Sequence, residues 1–128
     1  MAMGKFLMAM ILIVEDDAFI RELVEMTIQD WGYDTLSAGD ADEALLLLRS
    51  PRIIDALFTD IYLKTAVLGG CKLARQAIEL RPRLRVLYTT GSHVTGEIKA
   101  LFVGGMHCLR KPYTPNQLQH SLEDLLAA

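Results

Sequence analysis

The sequence predicts an α/β domain, a doubly wound (βα)5 parallel sheet with helices on both faces, and three observations carry that prediction. Short apolar runs alternate with helical stripes five times along the chain. Three of the runs are nearly continuous in apolar residues, as strands covered on both faces must be. The chain has 128 residues, of which 52% are hydrophobic and 23% charged, enough for one domain with a true core. Residues 1–8 read as an N-terminal extension or the start of the first strand, which is placed at Met10 to Val14. The apolar run Phe6 to Val14 is too short to span a bilayer. It ends in Glu15-Asp16-Asp17 with no small-residue cleavage site, so a buried strand fits better than a signal peptide.

The first helix follows with a stripe of Ile20, Leu23, Val24, Thr27 and Ile28, stopped by Gly32. Tyr33 to Ser37 is the second strand. Ala41, Ala44, Leu45 and Leu48 mark the second helix, opened by Asp40 and Glu43 in the manner of a capping box and ended by Pro51. Asp55 to Thr59 is the third strand, and Leu73, Ala74, Ala77 and Ile78 form the third helix before Pro82. Leu84 to Thr89 is the fourth strand. A fourth helix is predicted from Val94, Ile98, Leu101 and Phe102, stopped by Gly104-Gly105, before a fifth strand at Met106 to Leu109. Leu118, Leu122, Leu125 and Leu126 make the last helix, which Thr114-Pro115-Asn116-Gln117 opens with a capping box.

Thirteen basic against sixteen acidic residues give a net charge of -3, which does not favour nucleic acid or an anionic membrane as partner. Cys71 and Cys108 are too few for a disulfide framework and lack metal-ligand spacing, so both are expected to be buried thiols of a cytoplasmic protein. His93, His107 and His120 form no ligand pattern and are expected at the surface or at helix ends.

In a parallel sheet the ligand site lies at the carboxyl ends of the strands. There the sequence delivers Glu15-Asp16-Asp17, Asp60, Thr89-Thr90-Gly91 and Lys111-Pro112. Crowded carboxylates repel one another unless a cation or a proton intervenes, and a hard ion with oxygen ligands such as Mg²⁺ suits them. A carboxylate beside Mg²⁺, faced by Lys111 and the Thr90 hydroxyl, is suited to receive a phosphoryl group as an acyl phosphate. Asp60, alone at the end of the central strand, is the candidate nucleophile. Each of these residues alone could be a helix cap, a strand end or a solvated charge. Random caps have no reason to converge on one rim.

Together these residues resemble the receiver domain of bacterial response regulators, of the chemotaxis-regulator-like, single-domain type. The resemblance runs from Ile11 to about Leu126, with the domain placed at residues 9–127. It implies the flavodoxin-like receiver fold with strand order 2-1-3-4-5. ILIVEDD is similar to the family's first strand and acidic pair, making Glu15 and Asp16 metal carboxylates, the former through water, with Asp17 starting the first helix. Asp60 in ALFTDIYL matches the phosphoacceptor, Thr90 in VLYTTG the switch threonine, and Lys111 in LRKPY the lysine before proline, with Lys111-Pro112 expected to be cis. The Tyr62 backbone carbonyl would complete a Mg²⁺ site that includes Asp60 itself. The implied partners are a sensor histidine kinase or histidine phosphotransfer protein and an unknown downstream protein, with no nucleic acid or membrane. The chain is expected to be a monomer or weak dimer, and to be no enzyme beyond weak self-phosphorylation and self-dephosphorylation. Because it ends directly after the fifth helix, output is expected by protein contact through the fourth helix, fifth strand and fifth helix. The alternative is the receiver piece of a hybrid histidine kinase.

Two departures stand out. The loop after Asp60 lacks the family's proline and brings its glycines late, at Gly69 and Gly70, so residues 64–68 are expected to be mobile. Cys108 stands three positions before Lys111, where the family commonly places an aromatic residue that turns inward. Tyr62 and Ser92 occupy positions that in receivers flank the path of attacking water, and the Tyr62 ring is expected to shield an acyl phosphate. Three rival readings remain at this level. A haloacid-dehalogenase-like phosphatase would need an Asp where Tyr62 stands, and a flavodoxin-like carrier would need a glycine-rich loop where Glu15 to Asp17 stand. A phosphorylation-independent interaction module is opposed by the retained Asp60, Thr90 and Lys111.

Overall fold

The computed structural model describes residues 9–64, 66–103 and 107–127. Its elements in chain order are β1 (Met10–Val14), α1 (Ala18–Asp30), β2 (Asp34–Ala38), α2 (Ala41–Arg49), β3 (Ala56–Asp60), α3 (Gly69–Leu80), β4 (Arg85–Thr90), α4 (Gly96–Lys99), β5 (His107–Arg110) and α5 (Pro115–Ala127). The strands form one parallel sheet in the order β2-β1-β3-β4-β5, the flavodoxin-like receiver arrangement. Strands β2 to β5 each run one residue further toward the carboxyl end than their apolar runs predict. Parallel pairing carries the ladder into the polar rim residues, with Asp60 opposite Thr89 and Thr90 opposite Arg110. Met106 and Gly104-Gly105, expected to start β5 and to stop the fourth helix, lie outside the described residues.

Each face of the sheet buries one half of the core. On one face Leu12, Val14, Leu57, Val86 and Tyr88 meet Ala44, Leu48, Leu73 and Ala77 of α2 and α3. On the other, Ile11, Ile13, Phe58 and Leu87 meet Val24, Ile28, Leu118 and Leu122 of α1 and α5. Side chains of this size stabilise by about 1.5 to 3 kcal/mol each when fully buried.

The predicted caps form, with one difference. Thr114 and Gln117 exchange hydrogen bonds of 2.8 and 3.2 Å across the first turn of α5. Asp40 accepts the Glu43 N–H at 2.8 Å, but Glu43 reaches back to the N–H of Gly39 rather than closing the box on Asp40. Two arginines satisfy carbonyls at helix C-termini that would otherwise lack donors. Arg81 donates to Leu48 and Ser50 at 3.0 and 2.8 Å, and Arg85 donates to Leu125 and Leu126 at 2.9 and 2.6 Å.

Three expectations are corrected. The fourth helix is a single turn capped by Thr95, after which Leu101 and Phe102 continue in i to i+3 turns. Gly96 inside the turn and β-branched Val94 and Thr95 before it weaken helix propagation, while Val94, Ile98, Leu101 and Phe102 still pack against the core. On α1 only Val24 and Ile28 are buried, whereas Ile20 and Leu23 are exposed. The helix carries more apolar rows than the sheet can cover, and it lays down the Val24–Ile28 row. Finally, Cys71 is buried but Cys108 is exposed, because β5 is an edge strand with no neighbour on its outer side. His93 and His120 are exposed, while His107 is half-buried within β5.

The start of α3 is seated directly on the end of β3. Gly70 donates its N–H to Ile61 at 2.9 Å, and a Cβ built on Gly70 would lie 1.7 Å from the Asp60 carbonyl oxygen. No side chain can occupy that space, and the collision is with backbone, which cannot rotate away. Gly70→Ala is therefore expected to cost about 1 to 3 kcal/mol of stability, as overpacking does. Urea denaturation measures it, and an unchanged midpoint would show that α3 is free to lift from Asp60.

Candidate functional site

The rim residues arrive from four strand ends. Glu15 follows β1 and extends its ladder by donating its N–H to Ala38 at 3.2 Å, while Arg21 holds the Glu15 carbonyl at 2.7 Å. Asp17 is the N-cap of α1, its carboxylate accepting the N–H groups of Phe19 and Ile20 at 2.9 and 3.1 Å. Asp17 thus borders the pocket as a cap, while Glu15 and Asp16 join Asp60 in the acidic cluster. Asp60 ends β3 and is only 6% exposed. Thr90 ends β4, its hydroxyl accepting the Ser92 N–H at 3.1 Å, and its carbonyl accepts the N–H of Lys111 at 2.8 Å. Lys111 is followed by a cis bond to Pro112.

One carboxylate oxygen each of Glu15, Asp16 and Asp60 lies within 4.8 Å of the others. The Lys111 ammonium stands 2.7 Å from Asp60 Oδ1 and 4.0 Å from Glu15 Oε2. Three carboxyl groups thus share one ammonium. The imbalance falls on Glu15, whose carboxyl is pushed up from 4.5 to about 8. Burial is the largest cause, followed by a hydrogen bond with Asp60 and the charge of Asp60, while Lys111 and the Asp17 N–H pull the other way. Nearby Tyr113 is pushed up to about 12, first by burial and then by the charges of Asp60 and Glu15. A cluster that holds a proton so far above the carboxylate range is a site short of positive charge. Its donors are all oxygen, and its outer side is open, so it fits a hard divalent ion that keeps some of its water.

Glu15, Asp16, Asp60, Tyr62, Thr90, Ser92 and Lys111, all singled out from sequence, line a single open pocket of about 500 Å³. Sequence reading missed four supports. Arg21 pins the Glu15 carbonyl, Gly70 makes room for the Asp60 backbone, and Tyr113 walls the buried side beside Phe58, with which it makes an edge contact at 6.5 Å. The fourth is the N–H of Lys64, which donates to Asp16 Oδ2 at 2.6 Å. Of the segment expected to be mobile, Thr65 lies outside the described residues. Its flanks are tied by a Leu63–Ala66 bridge and by Lys64 itself, and Leu68 adopts a left-handed conformation with φ 55 before Gly69. The lengthened loop thus still reaches the acidic cluster.

Comparison with known proteins agrees with this geometry. Residues 11–123 match the response regulator receiver domain family. The transcriptional regulatory protein ZraR of Escherichia coli K12 is 30% identical over 118 residues, covering 91% of this chain and 26% of that protein. A probable transcriptional regulator, ycf27 of Porphyridium aerugineum, is 27% identical over 116 residues, and there the chain spans 47% of the relative's length. Among solved structures, a response regulator receiver protein from Sinorhizobium medicae superposes with a TM-score of 0.84 at 30% identity, covering 94% of this chain and 96% of the other. The chemotaxis protein CheY4 of Vibrio cholerae gives 0.80 at 29% identity, over 93% and 99% of the two chains. Sequence, topology and pocket converge, and the chain belongs to the response regulator receiver domain family of two-component signalling systems.

Proposed function

We propose that the protein accepts a phosphoryl group on Asp60 from a phosphohistidine of a sensor kinase or histidine phosphotransfer protein, and passes the signal on by protein contact. The observation that carries this reading is the Asp60–Lys111 pair at 2.7 Å inside an acidic cluster. Lys111 engages Oδ1 of Asp60, so the second oxygen is the one to attack phosphorus as the phosphorus–nitrogen bond of the donor breaks and its imidazole leaves. The ammonium and the Thr90 hydroxyl meet charge on the phosphoryl oxygens. Asp16, Asp60, the Tyr62 carbonyl and, through water, Glu15 would hold Mg²⁺, which supplies further charge neutralisation there. The reading is of a phosphoacceptor with weak self-phosphorylation and self-dephosphorylation, not of a turnover enzyme. Tyr62 in place of a general acid two residues after Asp60 supports it over a phosphatase.

The donor's approach is supported by α1. Phe19 is 76% exposed and Leu23 54%, with Ile20 and Met26 beside them, and Ile20 also borders the acceptor pocket. An apolar row that runs into the pocket suits a helical partner presenting a histidine. Among the described residues of α4, β5 and α5 there is no comparable exposure of large apolar side chains, so α1 is the stronger candidate contact face. A cytoplasmic location is proposed with the same partners. No helix among the described residues is long and apolar enough to cross a membrane.

With Mg²⁺ and a small acyl phosphate, the protein is expected to gain one acid-labile phosphoryl group by mass, and Asp60→Asn none. No gain on the wild type, or an equal gain on the variant, would overturn the reading.

Binding of Mg²⁺ must displace the proton held on Glu15. Apparent affinity should therefore rise as pH rises toward about 8, by at most about tenfold per pH unit for one proton released. Titration calorimetry between pH 6 and 8 reads this, and in Glu15→Gln the slope should flatten. The same proton stabilises the fold at lower pH: a carboxyl held above its unfolded value loses its contribution as pH climbs from 4.5 to about 8.

Tyr62 lines the pocket and is 40% exposed, placed to shield an acyl phosphate from water. Tyr62→Asn is expected to speed phosphate release roughly three- to tenfold, equivalent to up to about 1.4 kcal/mol of barrier. Equal rates would remove the shielding role.

A further inference from the structure

Thr89 is only 4% exposed, and among the described residues its Oγ1 is the one buried side-chain nitrogen or oxygen without a hydrogen-bond partner. The other buried hydroxyls of β3 and β4 all have one. Thr59 donates to the Asp60 carbonyl at 3.0 Å, Tyr88 accepts the Val103 N–H at 2.9 Å, and Thr90 accepts the Ser92 N–H at 3.1 Å. A buried hydroxyl left alone is costly, and a valine of the same shape would avoid the cost. A threonine there points to a partner that is not a protein group.

Space for such a partner lies beside it. Thr89 stands two residues beyond Leu87, so its side chain leaves β4 on the face covered by α1 and α5. There it lines a cavity of about 10 Å³, the room that one water molecule needs. The walls are mixed. Ile13 and Phe58 are apolar, while Glu15, Lys111 and Tyr113 join Thr89 as polar neighbours. An apolar cavity stays dry, but one of this size takes up water when at least two polar partners line it.

Glu15 and Lys111 also line the acceptor pocket, so the cavity lies directly behind that wall. The Lys111 ammonium has three N–H donors. One is spent on Asp60 at 2.7 Å, and Glu15 at 4.0 Å is beyond hydrogen-bond range. A donor therefore remains for a third partner.

We propose that this cavity binds one water molecule, held between the Thr89 hydroxyl and the Lys111 ammonium, and that Thr89 is thereby a positioning residue for Lys111. The water accepts from the ammonium and donates to the hydroxyl, which fixes Lys111 from behind as Asp60 fixes it from the front. The positioning role rests on Asp60 being the phosphoacceptor; the water site does not.

Oxygen-17 relaxation dispersion on the full chain counts long-lived internal waters without interference from exchanging protons. Thr89→Val should lower the count by one relative to wild type, and Thr89→Ser, which keeps the hydroxyl, should retain it. Equal counts in wild type and Thr89→Val overturn the water site. The rate at which Mg²⁺ and a small acyl phosphate load Asp60, followed by mass, reads the positioning role. It should be roughly three- to tenfold slower in Thr89→Val and within about twofold of wild type in Thr89→Ser. A lower count with an unchanged rate overturns the positioning role and supports the water site. If the wild type does not load, the phosphoacceptor reading and the positioning role fall, and the count still decides the water. Should Thr89→Val not fold, crystals of the wild type decide: density for a water within hydrogen-bond distance of Thr89 Oγ1 supports the site, and an empty cavity overturns it.

Discussion

The constraint on which this molecule turns is the crowding of carboxyl groups around a single ammonium. Glu15, Asp16 and Asp60 bring their oxygens within 4.8 Å of one another, and among the described residues Lys111 is the one cation paired with them. In a partly dry site such crowding is unfavourable by several kcal/mol, and the protein meets it in two ways at once. Lys111 sits against Asp60, and Glu15 keeps a proton well above the ordinary carboxylate range. On the proposed reading, a site in that condition exchanges a proton for a cation and then accepts a doubly charged group beside it. The fold supplies the rigidity that this needs. Every backbone element near Asp60 is fixed by a neighbour: Thr59 donates its hydroxyl to the Asp60 carbonyl, Ile61 donates to Thr89, and α3 presses Gly70 onto the same carbonyl.

How much of this could be read from the sequence follows from which interactions leave a trace in it. Continuous apolar runs give the buried strands, and the parallel order then carries Glu15, Asp60, Thr90 and Lys111 to one rim, so these candidates converged. The capping box at Thr114 and Gln117 and the Asp17 cap were equally legible, since each depends on a side chain at a fixed spacing. What escaped is what rests on backbone groups or on competition between faces. The Lys64 N–H to Asp16 could be donated by almost any residue, so nothing in the loop's composition announces it. The rotation of α1, which buries Val24 and Ile28 and exposes Leu23, depends on how much of the helix the sheet can cover. Cys108 was misplaced because a cysteine's usual burial says nothing of an edge strand.

The loop after Asp60 and the edge strand β5 are each set by local geometry. The loop after Asp60 reaches the acidic cluster through a main-chain donor, and a left-handed Leu68 sets up the two glycines that let α3 approach β3. Cys108 on β5 stands opposite Tyr88 on β4, whose ring stacks on Phe102.

The two faces of the sheet differ in what they present. The apolar row of α1 touches the acceptor pocket at Ile20, while the stack of Tyr88 on Phe102 lies on the opposite face of the sheet, under α4. A donor that docks on α1 need not disturb Phe102 or Val103, because the sheet stands between them. The two faces meet at the strand ends, where Lys111 donates its N–H to the Thr90 carbonyl and both residues line the pocket. On the proposed reading, the chemistry at Asp60 takes place at those strand ends, within reach of both faces.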